Sequence, residues 1–300
     1  YIPIPSASVV EAGQVLCIPT HEDAEQLRGQ QLGSQPAQPP SPPVVQTTAG
    51  QSPAPVPSFS DQSIRFSADS VVARQPLQLT LTPQLAGTIR YTTNASLPDA
   101  NSTPYQGPLA GNHNTVIPAQ VFSPAGEPVG NLHTKSYFVI NYDQTIPVMS
   151  IVADWGDINA LHDAARERGV EWERPINIEY FAPGGEVHFN VPAGIRIHGN
   201  FSRLFNPKKS FRIYFRKSYG GPGNLEYPLF EGSPVTKFDK LVLRAGFQDT
   251  FTHRGIPDRG DRHESAKYIG DQVARDLHLS MGQLAPHGSW VLLYINGGFW

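Results

Sequence analysis

Short alternating apolar runs, each closed by a cluster of turn-forming residues, constrain this chain more than any other feature. LQLTLT from Leu77, TIRYTT from Thr88, TVIPAQVF from Thr115 and KSYFVI from Lys135 show no helical period. Turn clusters at Pro83–Gly87, Ser96–Thr103 and Pro124–Gly130 separate them. This order predicts a small β-sandwich over residues 61–143, because strands of such length pair across tight turns. Composition agrees: 27 glycines and 29 prolines in 300 residues, with only 16% charged side chains, disfavour a long-helix protein. A hydrophobic content of 39% is enough for packed cores.

Several function classes drop out early. A net charge of −3, from 23 bases and 26 acids, leaves no electrostatic footprint for a nucleic-acid partner. No uncharged apolar run approaches the roughly 18 residues of a transmembrane segment. Cys17 is the single cysteine, so no intrachain disulfide forms. It reads as a small buried apolar residue. His263-Glu264 lacks the second histidine of a zinc motif, since Lys267 stands there. No nucleophile elbow, P-loop or dinucleotide fingerprint is present either.

Eight prolines between Pro36 and Pro57, mixed with Gln, Ser and Ala, read as an extended linker over 28–60. Residues 1–27, with the strand-like run VVEAGQVLCIP, read as the remnant of an upstream domain. Residues 146–300 hold 17 acids and 18 bases and read as mixed α and β. Asp157 is placed to cap a helix running to about Arg168, with Ile158, Leu161 and Ala165 on its buried face. INIEYF and EVHFNV flank Pro183-Gly184-Gly185 as a hairpin. GIRIHG, KSFRIYFR and KLVLRA follow as strands. A second helix starts at the D-x-x-E box Asp261–Glu264, with Ala266, Ile269, Val273 and Leu277 as its buried stripe and Asp271 and Arg275 on its wet face. The chain starts at Tyr1 and stops at Trp300, directly after the strand WVLLYI and the turn Asn296-Gly297-Gly298, and so reads as a fragment.

The segment from Arg196 to Lys217 concentrates seven bases, Arg196, Arg203, Lys208, Lys209, Arg212, Arg216 and Lys217, while no acid occurs from Val187 to Leu225. Such a strand–loop–strand needs either an anionic partner or acids from elsewhere in the fold. Gly199 and Ser202 would let the loop approach phosphate oxygens, with Lys208 or Lys209 as point charges.

Two resemblances add to this reading. Ile89, Tyr91, Thr92, Thr93, Ser96, Pro98, Ser102, Tyr105, Gly107 and Pro108 resemble the immunoglobulin-like module at the C-terminus of chitobiases and β-hexosaminidases, with Asn94-Ala95 in place of the usual Asp-Gly. That module resembles a spacer with no catalytic residues of its own. From about Pro147 to Trp300 the chain resembles the N-terminal part of the CotH-type, spore-coat protein H, kinase-like family. Gly199, Ser202, Lys208, Lys209, Ser210, Phe211, Arg212 and Ile213 carry one motif; Phe238, Leu241, Leu243, Arg244 and Asp249 a second. Asp271, Ala274, Leu277, Ala285, Pro286, Val291, Leu293, Tyr294, Ile295, Asn296, Gly297, Phe299 and Trp300 complete the set, with Gly270 where the family has Arg.

The expected architecture is therefore multidomain and β-rich: an immunoglobulin-like β-sandwich, then an α+β kinase-like N-terminal lobe incomplete at its C-terminus. The resemblance implies a secreted or surface-located atypical protein kinase that moves the γ-phosphoryl of ATP, with Mg, onto Ser or Thr of an extracytoplasmic acceptor protein. Gly199, Ser202, Lys208, Lys209, Arg196, Arg244 and Asp249 are the candidate ATP and phosphate contacts. Catalytic and metal-binding carboxylates are expected beyond Trp300, which would leave the fragment inactive alone. The competing expectation is a non-catalytic adhesion or carbohydrate-binding scaffold on a cell-surface glycan.

Overall fold

The structure, a computed structural model, describes residues 13–16, 63–140, 143–206, 208–250 and 266–300. The proline-rich stretch, Cys17 and the Asp261–Glu264 box lie outside these residues. Strand β1 (Gly13–Leu16) belongs to a sheet built mostly from the C-terminal half. The smaller module follows with β2 (Ile64–Phe66), β3 (Val71–Ala73), β4 (Leu77–Leu79), β5 (Leu81–Pro83), β6 (Thr88–Tyr91), β7 (Thr103–Pro104), β8 (Leu109–Gly111), β9 (Thr115–Phe122) and β10 (Pro128–Val139).

Its main sheet runs β3-β10-β9-β6-β7, with β2–β5 and β4–β8 as separate pairs. TVIPAQVF becomes β9 over the full expected run, whereas LQLTLT is broken at Thr80. There the Thr80 amide donates to the Ser67 hydroxyl oxygen at 2.9 Å and its carbonyl accepts from the Ser67 amide at 2.8 Å. The break lets β4 and β5 pair with different strands. Leu79, Ala119, Val121 and Tyr137 are fully buried in the core. Tyr91 and Tyr105 meet edge to face at 6.3 Å against it, which makes them packing groups.

The larger unit comprises β11 (Val148–Val152), α1 (Trp155–Asp163), β12 (Arg174–Phe181), β13 (Val187–His198), α2 (Phe201–Phe205), β14 (Ser210–Tyr214), β15 (Leu225–Glu226), β16 (Lys237–Phe238), β17 (Lys240–Arg244), α3 (Gly270–Ser280), β18 (Gly288–Ile295) and β19 (Gly298–Phe299). Its sheet runs β1-β17-β14-β13-β12-β11-β18-β19, and β1 also pairs with β18, so the ladder closes through β1. The four described residues Gly13–Leu16 pair with β17 and β18 of this sheet. The β12–β13 hairpin turns at Gly184 and Gly185, both at positive φ, as the Pro-Gly-Gly sequence predicts. Of GIRIHG, residues 194–198 are not a separate strand but the second part of β13, and Gly199 follows it.

One face of this sheet buries Met149, Ile151, Ile178, Ile195, Phe211, Ile213, Leu241 and Leu293 beneath Ile158 and Leu161 of α1. The expected cap of α1 is displaced by one turn. Asp154 accepts from the Gly156 amide at 2.7 Å, while Asp157 reaches Arg174 Nε at 3.2 Å, and the helix ends at Asp163.

Helix α3 lies opposite to expectation. Ile269, Val273 and Leu277 are 55%, 55% and 58% exposed, and the Asp271–Arg275 pair turns inward to Arg244. The amphipathic period is real, but an ion-pair partner on β17 claims the polar side. Phe211→Ala should therefore lower stability by about 3–5 kcal/mol, and Leu277→Ala by less than about 0.5 kcal/mol, measured by urea denaturation. Comparable losses would return Leu277 to the core.

Candidate functional site

The basic loop is built by its own backbone. After β13 the chain turns at Gly199 with φ +111, where an added Cβ would stand 2.0 Å from Ser202 Oγ. Only glycine fits, so Gly199 and Ser202 act as one shaping pair. The buried Arg203 guanidinium then donates to the Glu167 carbonyl at 2.8 Å and the Ile197 carbonyl at 2.6 Å, pinning the loop to the sheet. Lys209 Nζ donates to the carbonyls of Arg203 at 2.7 Å and Asn206 at 2.8 Å, closing the end of α2. Burial pushes the Lys209 pKa below the usual lysine range. Lys208 hangs its ammonium 6.0 Å from the Phe299 ring centroid.

Lys208 and Lys209 line a small open cleft with Leu243, Arg244 and Ala245, with Val291 and Leu293 of β18, and with Trp300. Trp300 is held there by the β18–β19 hairpin. Asn296 and Gly297 take the positive φ of +52 and +80 that the tight turn requires. The Asn296 amide side chain exchanges two 2.9 Å bonds with the backbone of Ala153. The Trp300 ring meets Phe211 at 5.6 Å and His162 at 5.3 Å between centroids. The arrangement is an apolar wall with cations at its rim.

The remaining expected residues have other partners. Arg196 reaches Glu173 Oε2 at 3.4 Å and lies 4.2 Å from the Tyr214 ring centroid. Arg216 stacks on the same ring and donates to Glu173 Oε1 at 2.7 Å, as does the Tyr219 hydroxyl at 2.8 Å. Arg244 contacts Asp271, and burial, then Arg275 beside it, lowers its pKa. Asp249 accepts from the Lys267 amide at 2.6 Å and the Gly270 amide at 3.2 Å, so it holds the start of α3. Thus Lys208, Lys209 and Arg244 converge on one cleft, Gly199 and Ser202 shape the adjoining loop, and Arg196 and Asp249 are engaged elsewhere.

Glu173 and Arg203 are structural keys that sequence reasoning did not single out. The partners of Glu173, namely Arg196, Arg216 and Tyr219, are more than twenty residues away, and Arg203 bonds backbone carbonyls, so no side-chain spacing marks either. Register makes Glu173 necessary: Arg196 stands directly opposite Arg212 across β13 and β14, a like-charge pair. His198, two residues along the same face, adds no charge at neutral pH. Burial, then Arg212, Arg203 and Arg244, pushes its pKa down to about 4. Glu173→Ala should cost about 3–5 kcal/mol in urea denaturation, because Arg196 and Arg216 lose the carboxylate between them. A loss under about 1 kcal/mol would make the cluster a set of independent surface contacts.

No curated protein and no solved structure gives a significant match to this chain. Two family models do. The CotH match begins inside β13, so β11, α1 and β12 lie before it. Residues 68–132 match the chitobiase/β-hexosaminidase C-terminal domain and residues 195–300 match the CotH kinase protein family, so the chain joins a module similar to the first to a unit similar to the second.

Proposed function

We propose that the larger unit is the nucleotide-receiving part of a CotH-type atypical protein kinase, which transfers the ATP γ-phosphoryl to Ser or Thr of an extracytoplasmic protein. The observation that carries this reading is the convergence of Lys208, Lys209, Arg244 and Trp300 on one cleft within the CotH-like segment. Phosphoryl transfer is mainly positioning and neutralisation of charge, so cations at the rim of an apolar wall are the protein groups it needs. Lys208 is the proposed phosphate contact. Lys209, bonded to two carbonyls, is the proposed positioning residue that holds Lys208 and the Gly199–Ser202 turn in place. Arg244, braced by Asp271, adds positive potential.

The residues fit a nucleotide's phosphates better than they fit a resident metal. Among the described residues no group of three or more His, Cys, Asp or Glu gathers to hold Mg. A surface or secreted location rests on the company of the two families; among the described residues no helix is long and apolar enough to cross a membrane.

A second reading, a non-catalytic surface scaffold, is favoured by the fact that Arg196, Arg244 and Lys209 already have protein partners. Nucleotide binding separates the two. ATP with Mg²⁺ should change Trp300 emission, and W300F should lose that signal. Lys208→Ala should weaken binding by about tenfold, near 1.4 kcal/mol, and abolish transfer of labelled γ-phosphate by the full-length protein. Binding unchanged in the variant would sink the site assignment. No binding by the parent protein would favour the scaffold.

A further inference from the structure

The second face of the large sheet carries a buried polar cluster where the smaller module sits. Glu179, on β12, is fully buried and points at that module. Its Oε1 accepts from the Ser70 hydroxyl and from Asn190 Nδ2, the latter at 2.7 Å. Its Oε2 is buried without a hydrogen-bond partner. Asn190 also donates to the Thr134 carbonyl at 2.9 Å, and the Ser136 and Ser150 hydroxyls meet at 2.8 Å. The Ser136 amide donates to Ser70 Oγ at 3.1 Å. Every one of these links except the last runs from the module to β11, β12 or β13, or closes the cluster around Glu179.

An apolar seam continues from this cluster to the candidate site. Phe181, two residues along the same face, meets Phe138 of the module edge to face at 5.7 Å. Phe138 lies 4.5 Å from Tyr294 of β18, and Tyr294 lies 5.4 Å from Phe299. Phe299 immediately precedes Trp300. The turn glycine Gly297 backs onto Asn114 and Val116 of the module, and Trp155 donates to the Asn94 carbonyl at 2.9 Å.

We propose that the immunoglobulin-like module is a proton-sensitive clamp on the large sheet: with Glu179 neutral it stays seated and braces the β18–β19 hairpin that sets Trp300 in the cleft. With Glu179 ionised the seam loosens and the hairpin loses its backing. This inference concerns folding of the two units against each other and does not depend on the kinase reading.

The charged and titratable surroundings are few. Lys135 and Tyr137 come from β10 and Asp69 from the turn before β3; Lys135 is itself ion-paired with Asp69. The strands β11, β12 and β13 offer the neutral Ser150, Asn177 and Asn190. Burial outweighs the Ser136 and Ser70 hydroxyls and Lys135, and raises the Glu179 pKa to about 7. The folded state thus holds a proton that the unfolded state has released. The contribution is fully present below the ordinary glutamate range and is lost as pH rises from there through about 7.

The test is amide hydrogen exchange of the 288–300 segment in the full chain, corrected for intrinsic rates, at about pH 5 and about pH 8, beside Glu179→Gln. The glutamine keeps a carbonyl for Ser70 and Asn190 and carries no titrating proton. In the parent, protection of this segment should fall by at least about tenfold across that range, one pKa unit being tenfold. In Glu179→Gln the change should vanish, with protection near the parent's low-pH value. His198 titrates in both proteins, so the difference between them isolates Glu179. Equal pH dependence in parent and variant, or no dependence in the parent, would overturn the proposal. Glu179→Arg, whose guanidinium stays charged in the seam at both pH values, should lower protection at both; unchanged protection there would overturn it as well.

Discussion

A sheet whose β11, β12 and β18 are buried on both faces governs the rest of this structure. Every residue of β11 is buried, as are the last four of β12 and the last five of β18. Strands in that condition need a cover on each side, or they expose both apolar surface and a template for association. Helix α1 with the segment carrying Leu225, Tyr227, Phe230 and Phe238 covers one side. The immunoglobulin-like module covers the other through Val72 and Phe138 against Val148, Phe181, Leu292 and Tyr294. On this account the module is a structural part of the larger unit, not a bead on a tether.

The same constraint explains where the charges go. The basic strand pair places Arg196 against Arg212, a register fixed by burying Ile195, Ile197, Phe211 and Ile213 on the other face. The fold meets that repulsion by drawing Glu173 in between Arg196 and Arg216, and by keeping His198 neutral. Lys208 stands at the cleft, with Lys209 anchoring its loop and Arg244 braced by Asp271.

Local signals in the sequence were legible where local physics decides. TVIPAQVF, the Pro183-Gly184-Gly185 hairpin and the Asn296-Gly297 turn each form as read, because alternation and positive-φ residues act over a few positions. Both resemblances have a matching family model, the second over 195–300 and not from about Pro147. Reading failed where the deciding partner is distant in sequence. Asp271 and Arg275 looked like a solvent-facing pair until Arg244 drew them inward, which left Val273 and Leu277 outside. Nothing local in the sequence marks Glu179; its burial follows from the module packed over it. Asp157 lost the cap to Asp154 because Arg174 offered it an ion pair.

The claim that the two units fold as one is tested most directly by scanning calorimetry of the full chain. The account predicts one cooperative transition, with the calorimetric and van't Hoff enthalpies equal. Two separated transitions, one of the size of the smaller module and unaffected by changes at Glu179, would contradict it.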